Sequence, residues 1–86
     1  MINFEPGFEV TSRGVSFIAR ADGRLVACWV PAAALIRKES VAAADTAALR
    51  KIFKKHEELI RERIARKITQ GMAESDRTYC LHPGEF

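Results

Sequence analysis

Val15-Ser16-Phe17-Ile18-Ala19-Arg20-Ala21, then Asp22-Gly23, then Arg24-Leu25-Val26-Ala27-Cys28-Trp29-Val30 is the stretch that decides the fold. Asp-Gly readily takes the two positive φ angles of a type I′ turn, whose twist matches that of the strands it joins. The segment therefore predicts a β-hairpin. With Asp22 and Gly23 as the loop, Phe17 faces Cys28, Ala19 faces Val26 and Val15 faces Val30 on one side of the ribbon. That side predicts the core. The other side sets Ser16, Ile18 and Arg20 opposite Trp29, Ala27 and Leu25. It is mixed in polarity, and its three large apolar groups, Ile18, Leu25 and Trp29, need cover. They form the candidate interaction surface.

Outward from the hairpin, Ile2, Phe4, Phe8 and Val10 give the N-terminal segment apolar side chains. Phe8-Glu9-Val10 alternates as a short strand would, after a turn at Pro6-Gly7. This segment is expected to cover the mixed face. Pro31 suits the first turn of a helix running to about Lys38. Asp45 can accept from the free amides that open a second helix at Thr46. From there Leu49, Ile52, Phe53, Ile60, Ile64 and Ile68 make an apolar stripe with His56 in its gap, and Gly71 offers a left-handed cap that ends the helix near Gln70. Met72 is expected to pack back on the last turn. A single straight helix over 46–70 would reach about 37 Å, longer than the roughly 31 Å diameter of a compact chain of this size. A break near His56 is the expected resolution. Heptads counted from Leu49 put Arg63 in the seam, which argues against a coiled coil. The tail Arg77 to His82 is β-prone before Pro83-Gly84 and is expected to be a third strand beside the hairpin. The fold class expected is α+β: an N-terminal hairpin with a C-terminal strand, packed against a short helix and a long, broken amphipathic one.

The chain has 86 residues, 48% of them hydrophobic and 29% charged, with a net charge of +3. That is an ordinary globular mix, and it predicts one domain over residues 1–86. The N-terminus has neither the basic and apolar regions of a signal peptide nor a glycine at position 2 for acylation. The longest apolar run, Leu25 to Ile36, is broken by Pro31 and falls short of the roughly 18 to 20 residues a membrane span needs. No membrane association is expected. Cys28 and Cys80 lie far apart, unlike a small extracellular disulfide framework, and predict a reducing, cytoplasmic setting.

Chemistry-bearing motifs are sparse. Cys28, His56, Cys80 and His82 are the soft or imidazole ligands, yet only Cys80-x-His82 is closely spaced, so no metal site is expected. Cys28 has no histidine near it in sequence, and His56 lies on the apolar stripe. Neither has the setting of a nucleophile or general base, and no catalytic activity is expected. The five glycines stand singly, which gives a phosphate or cofactor no loop to bind. Glu57, Glu58 and Glu62 alternate with Lys54, Arg61 and Arg66 as a solvated helix face does. One alternative reading remains open. Over 50–67 there are eight basic residues, Arg50, Lys51, Lys54, Lys55, Arg61, Arg63, Arg66 and Lys67, against three acidic ones. A salt-dependent contact with nucleic acid would use them. The leading reading is a non-catalytic accessory or protein-interaction domain, with a homodimer through the Trp29 face as its simplest form.

The order Val-Ser-Phe, Asp-Gly-Arg, Cys28 in the next strand, Ala34-Leu35, Phe53 with His56 and Ile60, and a closing apolar strand resembles the small bacterial family known as domain of unknown function 1488. The resemblance implies a hairpin-plus-helices α+β domain over nearly the whole chain. It implies no substrate and no catalytic residue. It also implies a Ser or Thr cap near the first helix, where this chain has Val30-Pro31.

Overall fold

A computed structural model describes residues 2–85. The elements are β1 (Ile2–Phe4), β2 (Glu9–Thr11), β3 (Gly14–Ala21), β4 (Arg24–Pro31), α1 (Ala32–Glu39), α2 (Thr46–Lys55), α3 (Glu57–Thr69) and β5 (Tyr79–Cys80). They form an α+β fold in two layers, a sheet and three helices packed on one of its faces.

The hairpin has the register read from the sequence: Val15 pairs with Val30, Phe17 with Cys28 and Ala19 with Val26. Asp22 at φ 50° and Gly23 at φ 80° make the primed turn. Val15, Phe17, Ala19, Cys28 and Val30 are all buried, and Leu35 of α1, Leu49, Ile52 and Phe53 of α2 and Ile60 and Ile64 of α3 close over them. Phe53 is the hub. Its ring lies 5.5 Å from that of Phe17 and 4.7 Å from that of Phe8, and such tilted pairs add about 0.5–1.5 kcal/mol each beyond their buried area.

The N-terminal segment does not cover the mixed face. β1 and β2 both pair antiparallel with β3, one at each end of it, and act as an edge strand interrupted at Pro6-Gly7. Ile2, Phe4, Phe8 and Val10 then turn toward the helices and join the core. The reason is economy of hydrogen bonds: β3 would otherwise leave a row of amides and carbonyls unpaired. The C-terminal strand is present but is only two residues long. It runs parallel to β4, with Cys28 opposite Tyr79 and Trp29 opposite Cys80. Helices α1 to α3 supply the long crossover that a parallel pair requires.

Asp45 caps α2 by accepting from the Ala48 amide at 2.8 Å. The long helix breaks at His56, which ends α2 and begins α3. His56 Nε2 lies 2.9 Å from Glu39 Oε2, while Lys55 Nζ donates to Glu39 Oε1 at 2.7 Å. The break is thereby clamped to the end of α1. At the far end, Gly71 takes φ +67°. The Met72 amide bonds back to the Lys67 carbonyl, and the Met72 side chain is 50% exposed.

α1 starts without a side-chain cap. Its first amide, on Ala32, donates instead to the Arg13 carbonyl at 2.8 Å. That contact brings the start of β3 against the β4–α1 junction, and Gly14 makes the approach sterically feasible. A Cβ there would sit 2.3 Å from the Val30 carbonyl oxygen and 2.9 Å from the Ala32 nitrogen, at φ +149°. Gly14→Ala is expected to cost about 2–4 kcal/mol in a denaturant melt, because backbone on both sides must move. Gly23→Val, strained but facing open space, should cost about 1–2 kcal/mol. The reverse order would contradict the packing at Gly14.

The bond from His56, then the bond and charge of Lys55, hold the Glu39 carboxyl below its ordinary value of 4.5. A carboxyl lowered in the folded state stabilises above the unfolded value and loses that stabilisation as pH falls through the folded one. The gap in urea midpoint between wild type and Glu39→Gln should therefore shrink as pH falls below the ordinary glutamate value. A gap unchanged at pH 3 would contradict the clamp.

Candidate interaction surface

The hairpin register that fills the core also fixes the outward face. Across it stand three opposed pairs: Ser16 with Trp29, Ile18 with Ala27 and Arg20 with Leu25. Leu25 is 61% and Ile18 39% exposed, Ala27 is exposed, and Trp29 is half-buried. All three predicted surface residues thus share one face, opposite the helices. Arg20 is drawn toward the rim by Glu5, 3.1 Å away.

The face is relieved, not flat. A hollow of about 570 Å³ lies between the Glu5–Glu9 turn and Ser16, Ile18 and Ala27. A second of about 440 Å³ lies between Arg13, Trp29, Asp76 and Thr78. Both include Ser16 and Ala27, so the small residues form the floor of one trough across the sheet. The first hollow opens where Pro6-Gly7 interrupts the edge strand. Sequence alone signals that interruption but not the gap it leaves. The Asp76–Thr78 wall is held by its own bonds, the Thr78 amide and hydroxyl both donating to Asp76 Oδ1.

Four of the eight basic residues are paired with acids of the chain. Lys55 pairs with Glu39, Arg61 with Glu57 at 2.8 Å and Arg66 with Glu62 at 3.2 Å. Lys67 is largely buried, donating to the Cys80 carbonyl at 2.9 Å and pairing with Glu85 at 2.8 Å. Burial alone would raise the Glu85 carboxyl, but the bonds from Lys67 and from the His82 amide outweigh it and hold it low. Arg50 stacks over Phe8 and Arg61 over Phe4. Arg63 has its Nε buried without an acceptor. Lys51 and Lys54 are exposed and carry no ion pair among the described residues.

The cysteines lie on opposite faces of the sheet. Cys28 belongs to the core, whereas Cys80 stands beside Trp29, its neighbours Tyr79 and Leu81 turning inward. His82 Nδ1 lies 3.7 Å from Cys80 Sγ, and Glu74 Oε1 is 3.1 Å from His82 Nε2. The order thiol, imidazole, carboxylate resembles a nucleophile with its base, but the thiol is buried. Burial, then the Glu74 charge, pushes Cys80 up to about 11; burial does the same to Cys28. That is opposite to what a reactive cysteine needs. Among the described residues no group of three or more His, Cys, Asp or Glu could hold a metal ion.

A rise from 9.0 to about 11 leaves about a hundredfold less thiolate at neutral pH. Both cysteines should therefore react with an aromatic disulfide reagent only after denaturation, and a thiol titrating within seconds in the native protein would contradict this geometry.

No curated protein matches the chain. Among solved structures, the crystal structure of a protein of unknown function from the DUF1488 family of Shewanella loihica PV-4 shares the fold, with a TM-score of 0.85. The two chains are 15% identical, and the match covers 93% of this chain and 90% of that one. The model of the family described as "Protein of unknown function (DUF1488)" matches residues 2–81. That span takes in every element from the first edge strand to β5, and the chain belongs to the DUF1488 family.

Proposed function

We propose that residues 1–86 act as a single non-catalytic domain for protein interaction, working through the outward face of β3 and β4 in a reducing, cytoplasmic setting. The observation that carries this is the combination of Leu25 at 61% and Ile18 at 39% exposure with Trp29 and a trough between them. Scattered surface apolars are ordinary, but a contiguous apolar strip rimmed by Glu5, Glu9, Arg13 and Asp76 has the anatomy of a contact surface. Trp29 is the natural anchor, since tryptophan dominates interface energetics. Two free thiols on opposite sheet faces, unable to meet in a disulfide, support the reducing setting. No helix among the described residues is long and apolar enough to cross a membrane.

The alternative, polyanion contact through 50–67, rests on Arg50, Lys51, Lys54 and Arg63, which make no ion pair among the described residues. Pairing within the chain already occupies Lys55, Arg61, Arg66 and Lys67, so the net field they offer an outside anion is small.

The test is photo-cross-linking in cells with benzoylphenylalanine in place of Leu25, compared with the same group in place of Lys51 on α2. Protein adducts, to another chain or a second copy, are expected from position 25 only. No adduct at 25, or the same adduct from both positions, would remove the reading.

A further inference from the structure

The outward face carries a size pattern that specifies a partner. At successive levels of the hairpin, small Ser16 stands beside large Trp29, large Ile18 beside small Ala27, and Arg20 beside Leu25. Large and small therefore alternate along and across the strands over the two central levels, Ser16–Trp29 and Ile18–Ala27, and hollows lie over the small positions. Resting on the reading of this face as an interaction surface, we infer that its partner is a second copy of this chain, packed face to face.

A two-fold axis that lies between the faces, parallel to the strands and midway between β3 and β4, places β4 of each copy over β3 of the other at the same level. Trp29 of one copy then meets Ser16 of the other, Ile18 meets Ala27, and Leu25 lies along the aliphatic stem of Arg20. Each large side chain meets a small or slender one, twice over. This is the self-complementarity that an isologous interface demands. Tilting this axis by about 15° from the strands gives the roughly 30° crossing at which aligned sheets pack and keeps the four central residues, Ser16, Ile18, Ala27 and Trp29, in contact.

Charge agrees with this occupant, and area makes the contact a weak one. The rim mixes Glu5, Glu9 and Asp76 with Arg13 and Arg20, so two copies do not repel as surfaces of one sign would. β3 and β4 have eight residues each, whereas β1 and β2 add three each on one edge and β5 two on the other; at about 3.4 Å by about 4.8 Å per strand residue the face is roughly 400 Å² per copy. A total of about 800 Å² is below what a stable dimer buries and is the size of a weak, transient contact. It fits a reversible dimer, not an obligate one.

Sedimentation velocity over a concentration series tests this on the full chain, with melting curves to confirm that each variant folds. Wild type should pass reversibly from monomer to dimer between about 1 µM and about 1 mM. Ser16→Trp and Trp29→Ser should each weaken the dimer about tenfold or more, because one fills the hollow and the other removes what enters it. The double variant exchanges knob and hole, and should recover to within about threefold of wild type, since the two-fold axis sets position 16 against position 29. Leu25→Lys, at a 61% exposed site with little bearing on folding, should also weaken the dimer. Wild type that stays monomeric at about 1 mM, single variants without effect, or a double variant no better than the singles would each overturn the inference. A monomer that still gives adducts with another protein from position 25 would overturn the second copy alone and leave the interaction face standing; the loss of both would remove the face as well.

Discussion

The register of the β3–β4 hairpin is the constraint on which the rest depends. Because side chains alternate strictly along a strand, a slip of one residue would send Phe17 and Val15 to solvent and bring Ser16 and Arg20 into the core. The primed turn at Asp22-Gly23 fixes the pairing locally, before any helix has packed. Both edge strands and all three helices then build on one sorted face. The same sorting leaves Ile18, Leu25 and Trp29 on the other. Core and candidate surface are thus two consequences of one register.

The helical layer is tied down by ionic contacts at its joints. His56 interrupts the helix where a straight one would overrun the sheet, and Glu39 receives both Lys55 and His56 at that point. Lys67 does the same at the other end, reaching the Cys80 carbonyl and Glu85. Surface ion pairs contribute little individually, and the stability lies in Phe53 and its neighbours. What these pairs do is orient. They also pair half of the eight basic residues of 50–67, Lys55, Arg61, Arg66 and Lys67, with acids of the chain.

Features with a local cause were legible in the sequence: the Asp-Gly turn and its pairing, the Asp45 cap, the end at Gly71, and the break forced by length. Features set by tertiary contact were not. β1 and β2 are three residues each and are split by Pro6-Gly7, so their alternation is too short to show which side they take. β5 has two residues and is defined by its parallel neighbour. Gly14 stands singly in the sequence with nothing to mark it, and its role comes from the Val30 carbonyl lying across it. α1 begins on a carbonyl from Arg13, an acceptor no capping pattern would flag. On the candidate surface, the alternation of Ser16, Trp29, Ile18 and Ala27 was readable from the register, but the hollows over the small positions depend on the Glu5–Glu9 turn and the Asp76–Thr78 loop.

The most direct measurement is a dilution series of amide correlation spectra from the full chain. The account predicts concentration-dependent shifts confined to Ser16 to Ile18 and Leu25 to Trp29, including the Trp29 indole, while α2 and α3 stay fixed. Shifts centred on Lys51 and Lys54, or none on the hairpin at any concentration, would contradict it.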